Sequence, residues 1–231
     1  MRVASIIDIS LVDVPGIPVT VLFIAGCNLD CPYCQNAEII PTDSGENMAI
    51  AEIVQQMKGN LSDGYCITGG EPTIQKELPE LLKALRSENA KHINLNTQGT
   101  VPKILERSLP YLDSIWFDIK ATPTRYAEVT RVNKNPWPRI EQSIKLILSS
   151  DVSFWPRTTY VGGLSIPSDI LGISQILLDI GFRGEYTVQN FVKSTGVREV
   201  DTALFTEPDI EEPRSVLGQI PKGIDIRWEW R

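Results

Sequence analysis

Short apolar runs rich in β-branched residues alternate with segments of helical periodicity along most of this 231-residue chain. Strands are predicted at 19–26, 64–70, 92–97, 112–120, 152–161 and 185–192. Helices are predicted at 48–58, 74–87, 101–109, 140–148 and 170–180. Strands and helices that alternate at this spacing are typical of βαβ units around a parallel sheet, whose strands are buried on both faces.

The number of repeats limits the architecture. Six strand–helix repeats fall short of the eight that close a complete α/β barrel, so an open doubly wound sheet and an incomplete barrel both fit. We expect a strand or hairpin before residue 18 and a final edge strand in "GIDIRWEWR". Because no linker divides the chain, we predict one domain, 1–231, with a core at about 18–195 and a C-terminal tail at about 196–231.

Charge and hydropathy exclude several classes of function. The net charge of −7 argues against a nucleic-acid groove and against binding to an anionic membrane. No apolar run approaches the length of a membrane span. Asp8 and Asp13 interrupt the apolar N-terminal segment, which also lacks the cleavage site of a signal peptide. We therefore predict a cytoplasmic protein, in which thiols stay reduced.

Three of the four cysteines, Cys27, Cys31 and Cys34, lie in a C-x3-C-x2-C loop directly after the first long strand. Three thiolates can hold three irons of a [4Fe–4S] cluster, whereas clusters that only transfer electrons have four. The motif therefore predicts an open iron that meets a substrate. A structural zinc site would need a fourth ligand, for which Cys66 and His92 are the remaining Cys and His. Incidental buried cysteines are the third interpretation.

A second motif, "TGGEP" at 68–72, ends the next predicted strand. Two glycines allow a close backbone approach, and Glu71 offers an acceptor to a cationic amine. Alone, this sequence is usually a simple turn.

Together, "CNLDCPYC" and "TGGEP" resemble the two motifs of the radical S-adenosylmethionine (SAM) superfamily. The resemblance implies an incomplete (βα)6 barrel of parallel strands, with an N-terminal strand or hairpin and a C-terminal extension. It also implies a [4Fe–4S] cluster on Cys27, Cys31 and Cys34, whose fourth iron is chelated by the amine and carboxylate of SAM. The residues that the two motifs would place at SAM are Tyr33, Gly69, Gly70 and Glu71.

Within that superfamily the chain is most similar to activating enzymes of glycyl-radical proteins. The segments "NLNTQG", "WFDIKA", "PRTTYV" and "YTVQNF" resemble their later strands, and the N-terminal part resembles activators of anaerobic ribonucleotide reductase of archaeal type. Pyruvate formate-lyase activators are also similar. The resemblance places further SAM contacts at Asn96, Asp118, Lys120, Arg157 and Gln189, and places Asn190 at the substrate cavity.

Two positions depart from the activators. Gln35 stands where many of them have His, while the following Asn36 is retained. Gln35, Asn36 and Asn190 are therefore candidates for tuning the cofactor or contacting substrate. Asn96 replaces an Asp that helps bind a monovalent cation in some relatives, which argues against a cation site here.

The implied activity is reductive cleavage of SAM to a 5′-deoxyadenosyl radical. That radical would take hydrogen from a glycine of a partner, here anaerobic ribonucleotide reductase, after reduction by a flavodoxin or ferredoxin. No catalytic residue is implied beyond the cofactor site. Cys66 alone cannot hold a second cluster, and we expect it to be buried in its strand. The alternatives are a radical SAM enzyme acting on a small or nucleoside-type molecule, and a non-enzymatic iron–sulfur or zinc protein.

Overall fold

The structure is a computed structural model that describes residues 1–58, 61–88, 91–198, 201 and 203–230. These residues form a nine-stranded sheet. Its strands are β1 Arg2–Ser10, β2 Val19–Ile24, β3 Glu46–Asn47, β4 Gly64–Gly69, β5 His92–Thr97, β6 Ser114–Asp118, β7 Ser153–Tyr160, β8 Gly184–Asn190 and β9 Ile224–Glu229. The α-helices are α1 Ile50–Lys58, α2 Leu78–Glu88, α3 Pro102–Ser108, α4 Tyr126–Val129, α5 Trp137–Leu148, α6 Pro167–Asp179 and α7 Glu211–Arg214.

The sheet runs in the order β3-β1-β2-β4-β5-β6-β7-β8-β9. The strands from β2 to β9 in this order are parallel, whereas β1 pairs antiparallel with both β2 and β3. Within the described residues, β3 and β9 stay at opposite edges, so the sheet does not close. This confirms the incomplete barrel, and β9 confirms the predicted final edge strand while adding a seventh parallel strand.

Alternate residues of the same strands enter two separate cores. Leu22, Ile24 and Ile67 belong to the large core beneath the helices. Val21 and Cys66 belong to a small core on the opposite, inner face. This two-sided burial explains the continuous apolar runs in the sequence. It also confirms that Cys66 is a buried strand residue.

The predicted helices are present, with corrected starts. The helix predicted from residue 74 begins at Leu78, because Ile74 lies in a separate 3₁₀ turn and Gln75 is extended. Pro79 falls in the first turn of α2, where its missing N–H costs no hydrogen bond.

The segment after β6, predicted as a loop, contains the short helix α4. Tyr126 and Val129 are buried there against the large core, which periodicity cannot reveal over four residues. Arg125 ties the start of this helix to Asp169 of α6 by an ion pair. Among the described residues, no helix is long and apolar enough to cross a membrane.

Candidate functional site

The cysteine loop leaves the carboxyl end of β2 and is held there by backbone hydrogen bonds. The amides of Gly26 and Cys27 donate to the carbonyls of Ile39 and Ile40, at 2.8 and 2.9 Å. The amide of Cys34 donates to the carbonyl of Cys31 at 3.1 Å, closing a turn between the last two cysteines. The loop therefore presents all three thiols to one cavity.

The two glycines of the second motif lie directly against the start of this loop. A Cβ atom on Gly70 would come within 2.0 Å of the Gly26 carbonyl oxygen, and one on Gly69 within 2.2 Å of the Ile24 carbonyl oxygen. The amides of Gly70 and Glu71 donate to those carbonyls, each at 2.8 Å. The glycines are therefore required by backbone packing between the two motifs, a reason that the sequence alone did not suggest.

The cysteine loop and the carboxyl ends of β4 to β8 enclose a cavity of about 200 Å³. Fourteen of the predicted site residues line it: Cys27, Cys31, Tyr33, Cys34, Gln35, Asn36, Gly69, Gly70, Glu71, Asn96, Asp118, Lys120, Arg157 and Gln189. Asn190 lines a second cavity of about 680 Å³ instead. Gln35, Asn36 and Gln189 line both cavities, so the two spaces adjoin.

Burial controls the chemistry of the three thiols. Loss of solvent raises the pKa of Cys27 to about 12 and that of Cys31 to about 11, and it also raises the pKa of Cys34. Lys120 opposes this rise at Cys31 and Cys34. Without a bound metal the thiols therefore hold their protons at neutral pH, and metal binding must release them.

The carboxylate of Glu71 is buried and already hydrogen-bonded within the chain. It accepts from the amide and hydroxyl of Thr73, from the Thr97 hydroxyl at 2.6 Å and from the Gln98 amide at 2.9 Å. Burial raises the pKa of Glu71, and these donors oppose the rise. Glu71 thus joins the end of β4 to the end of β5.

Asp118, Lys120 and Arg157 form a charged cluster on the opposite wall. The Asp118 carboxylate accepts from Arg157 Nε at 2.8 Å and lies 3.3 Å from Lys120 Nζ. Burial alone would raise the pKa of Asp118, but the two cations outweigh it and lower that pKa to about 2. Arg157 also lies over the Trp116 ring, 5.0 Å from its centroid.

Sequence reasoning missed several residues of the smaller cavity. They are Leu29, Thr68, Thr97, Gln98, Thr159 and Phe191. Gln98 bonds to Asn28 and Thr100 through its side-chain nitrogen. Thr159 could have been found, since it follows Arg157 by two residues and so shares its face of the strand.

Gln35 links the cysteine loop to the segment after β8. Its Nε2 donates to the Val192 carbonyl at 2.8 Å, and the Ala37 amide donates to the Gly196 carbonyl at 3.0 Å. Arg198 forms an ion pair with Asp30 on the same loop. We call residues 192–198 the clamp segment.

The alternative zinc ligands lie elsewhere. Cys66 Sγ contacts Asn94 Oδ1 at 3.6 Å in the inner core, and His92 Nε2 lies 2.8 Å from the Ser114 hydroxyl. Across the described part of the chain, no three Cys, His, Asp or Glu side chains converge as ligands of a single metal ion would. Each thiolate of a four-iron cluster binds a different iron, so that cluster needs no such convergence.

Residues 21–168, which include both motifs and most of the parallel strands, match the Radical SAM superfamily. This chain belongs to the radical SAM superfamily. Its cofactors are a [4Fe–4S] cluster and S-adenosylmethionine.

Three similar proteins illustrate two kinds of named activity. A Methanocaldococcus jannaschii protein named as a glycyl-radical enzyme activating enzyme is 28% identical over 82% of this chain and 79% of its own length. The pyruvate formate-lyase-activating enzyme of Clostridium pasteurianum is 29% identical over 71% of this chain and 70% of its own. The 7-carboxy-7-deazaguanine synthase of Methanospirillum hungatei is 32% identical over 59% of this chain and 55% of its own.

Solved structures agree on the fold. SuiB of Streptococcus suis bound to S-adenosylmethionine superimposes with a TM-score of 0.62 at 16% identity, over 88% of this chain. The match covers 48% of SuiB, so this chain spans about half of its length.

The smaller cavity fits these cofactors by its chemistry. Three thiols supply the soft donors that iron–sulfur clusters use. Asn96 Oδ1 and Gln98 Oε1 are buried at the same cavity, and neither has a hydrogen-bond partner in the described structure. A ligand with polar groups would satisfy both acceptors, because unpaired buried oxygens are costly.

Proposed function

We propose that this radical SAM enzyme generates a glycyl radical on a partner protein, and that the partner is an anaerobic ribonucleotide reductase. When bound, the [4Fe–4S] cluster and SAM would supply the chemistry, which is reductive cleavage of the sulfonium with one external electron and abstraction of hydrogen from a glycine Cα of the partner. The residues of the chain bind and orient these cofactors and enclose them.

In this proposal Cys27, Cys31 and Cys34 hold the cluster. The half-buried backbone of Gly69 and Gly70 would bind the SAM amine, whereas Glu71 acts by fixing that backbone, since its carboxylate is already hydrogen-bonded. Tyr33, Asn96 and Gln98 line the SAM site.

The charged cluster of Asp118, Lys120 and Arg157 provides the contacts to the polar groups of SAM. Lys120 and Arg157 present two cations to the SAM carboxylate and ribose, with Asp118 orienting both. Gln189 reaches the boundary of the two cavities, where its Nε2 bonds to the Thr159 hydroxyl at 2.9 Å. Gln35, Asn36 and Asn190 face the incoming substrate.

The larger cavity is the observation that supports a protein substrate over a small molecule. It lies on the inner face of the sheet, between the loop that contains Val12 and Asp13 and the edge strand that contains Arg227 and Glu229. Because the described sheet is open between its edges, a chain segment can enter from the side. This cavity has a volume of about 680 Å³, which suits a short peptide loop, and it adjoins the cofactor cavity.

The extent of similarity supports the same choice. The two activating enzymes align over 82% and 71% of this chain, and the synthase over 59%. The similarity to the synthase supports a second candidate function, that of a radical SAM enzyme that acts on a small heterocyclic molecule.

The decisive experiment reconstitutes the protein anaerobically, reduces it with SAM and adds anaerobic ribonucleotide reductase. We expect 5′-deoxyadenosine together with the electron paramagnetic resonance doublet of a glycyl radical. Cys27→Ala, Cys31→Ala and Cys34→Ala should each abolish SAM cleavage. Cys66→Ala is the matched control, since Cys66 is a buried thiol outside the cavity. SAM cleavage without a protein radical, but with turnover of a nucleoside precursor, would establish the second candidate.

A further inference from the structure

A third cavity, of about 390 Å³, opens to the surface beside the cysteine loop. Asn28 and Leu29 form its inner side. Its outer side comes from the segment that leads into α5 and from the first turns of that helix, with Lys134, Asn135 and Arg139. We call this cavity the cationic pocket.

The cationic pocket and the cofactor cavity share one residue among those described as lining them. Leu29 lines both cavities and is 4% exposed. Its amide lies 3.4 Å from Cys27 Sγ, to which it donates a hydrogen bond. Asn28 is held by Thr100 and Gln98, so this wall is fixed by its own hydrogen bonds. The pocket is therefore a short route from the surface to the cluster ligands.

The charge of the pocket is opposite to that of the chain. Lys134 and Arg139 are exposed, and neither lies within 4.0 Å of a carboxylate in the described structure. Among the described residues that line the pocket there is no Asp or Glu, although the chain carries 29 acidic residues and 22 basic ones. Such a local excess steers acidic partners by long-range attraction.

The rim of the pocket is apolar. Val132, Pro136 and Pro138 contribute apolar surface to its lining. A flavin whose dimethylbenzene edge is exposed presents a flat apolar surface of matching character. The combination of an apolar rim with flanking cations favours an acidic flavoprotein over a small ion.

We propose that the cationic pocket is the docking surface for the reductant of this enzyme, an acidic protein of the flavodoxin type. Lys134 and Arg139 attract the carrier, the apolar rim seats the flavin edge, and the electron passes at Leu29. The flavin hydroquinone loses one electron and becomes the semiquinone, while the oxidised cluster gains that electron. The inference deepens the proposed function and depends on its cofactors, not on the identity of its partner.

The test measures cluster reduction by stopped-flow absorbance in the reconstituted enzyme without SAM or partner. Two reductants are compared: reduced flavodoxin, which is acidic, and the methyl viologen radical, which is a cation. For Lys134→Glu/Arg139→Glu we expect flavodoxin reduction to slow about tenfold at low ionic strength, with little remaining salt dependence. Methyl viologen reduction should not slow. Lys134→Gln/Arg139→Gln should show a smaller effect in the same direction.

The control is Lys83→Glu/Lys222→Glu, which changes the net charge by the same amount. Both of these lysines are exposed; Lys83 lies in α2, and Lys222 precedes the amino end of β9. We expect its flavodoxin rate to match that of the wild type. Equal slowing in both charge-reversed proteins, or an unchanged rate in the first, overturns the proposal. Because the assay needs no partner, absence of a glycyl radical would contradict only the proposed function.

Discussion

At the residue scale, Glu71 shows that a residue of a ligand-binding motif can have a structural role. Its carboxylate accepts from Thr97 at the end of β5, from Gln98 directly after it, and from Thr73 just beyond the motif. A residue with this pattern holds two loops together before any ligand arrives. Its contribution should therefore be visible in the protein without cofactors.

We predict that Glu71→Gln lowers the unfolding free energy of the cofactor-free protein by about 1–3 kcal/mol, because an amide NH₂ would face a hydrogen-bond donor. Urea denaturation under anaerobic conditions measures this change. Glu77→Gln, an exposed position nearby, should leave the free energy unchanged. If Glu71→Gln weakened SAM binding with wild-type stability, the direct contact with the SAM amine would be the correct interpretation.

The lowered pKa of Asp118 leads to a prediction about how the stability of the protein depends on pH. Its pKa falls from 3.8 to about 2 in the folded protein, so its stabilising effect is present above pH 4 and declines towards pH 2. Asp118→Asn should lower the unfolding free energy by about 2 kcal/mol at pH 7, and by less at pH 3.

Urea titrations of the apo protein at both pH values test this prediction, with Asp151→Asn as the exposed control. A difference between wild type and Asp118→Asn that grows as the pH falls would contradict the assigned ion pairs.

At the element scale, the cysteine loop is anchored on both sides by other segments. The end of β4 packs against its beginning, through glycines that leave no space for a side chain. The clamp segment packs against its end, where a Cβ atom on Gly196 would lie 1.7 Å from the Gln35 carbonyl oxygen. Gln35 therefore helps to hold the clamp segment against the cysteine loop. A comparison with the His of relatives at the same position does not reveal this role.

We predict that Gly196→Ala displaces the clamp segment, because backbone atoms cannot yield to a methyl group at that distance. Trypsin should then cleave after Lys193 and Arg198 several-fold faster, and stability should fall by about 1–3 kcal/mol. Mass spectrometry of the early fragments measures the cleavage. Gly218→Ala, which meets nothing within 4 Å, should behave as wild type. Equal cleavage in both variants would show that the clamp does not depend on this contact.

At the scale of the whole molecule, the open sheet creates two adjoining spaces with different roles. One is walled by the cysteine loop, and the other faces the gap between the sheet edges. Filling the second space should separate SAM cleavage from transfer to the partner.

Val192→Trp is the variant for that test, since Val192 lines only the larger of these two cavities. We expect the glycyl-radical yield to fall about tenfold, while uncoupled 5′-deoxyadenosine formation stays within about twofold of wild type. Leu217→Trp, at an exposed position, should change neither. A parallel loss of both products would show that the two cavities do not act separately.

The sequence predicted the parallel strands, the open architecture and most of the cavity lining, because buried strands and cysteine spacing leave local signals, whereas the two-residue strand β3 was not predicted. It could not reveal that Gly69 and Gly70 serve backbone packing, or that the Glu71 carboxylate is already engaged. Those facts depend on segments that meet only in the folded chain. Helix α4 was missed for the same reason, since Tyr126 is fixed by tertiary burial.

The clamp also sets an order of events during synthesis. Gln35 reaches Val192 across a separation of 157 residues, and Arg198 reaches Asp30 across 168. At roughly 5–20 residues per second, the ribosome exposes the cysteines about ten to thirty seconds before their outer wall exists. During that interval the thiols face solvent on a nascent chain. The outer wall of the cluster site is therefore complete only after the ribosome has passed residue 198.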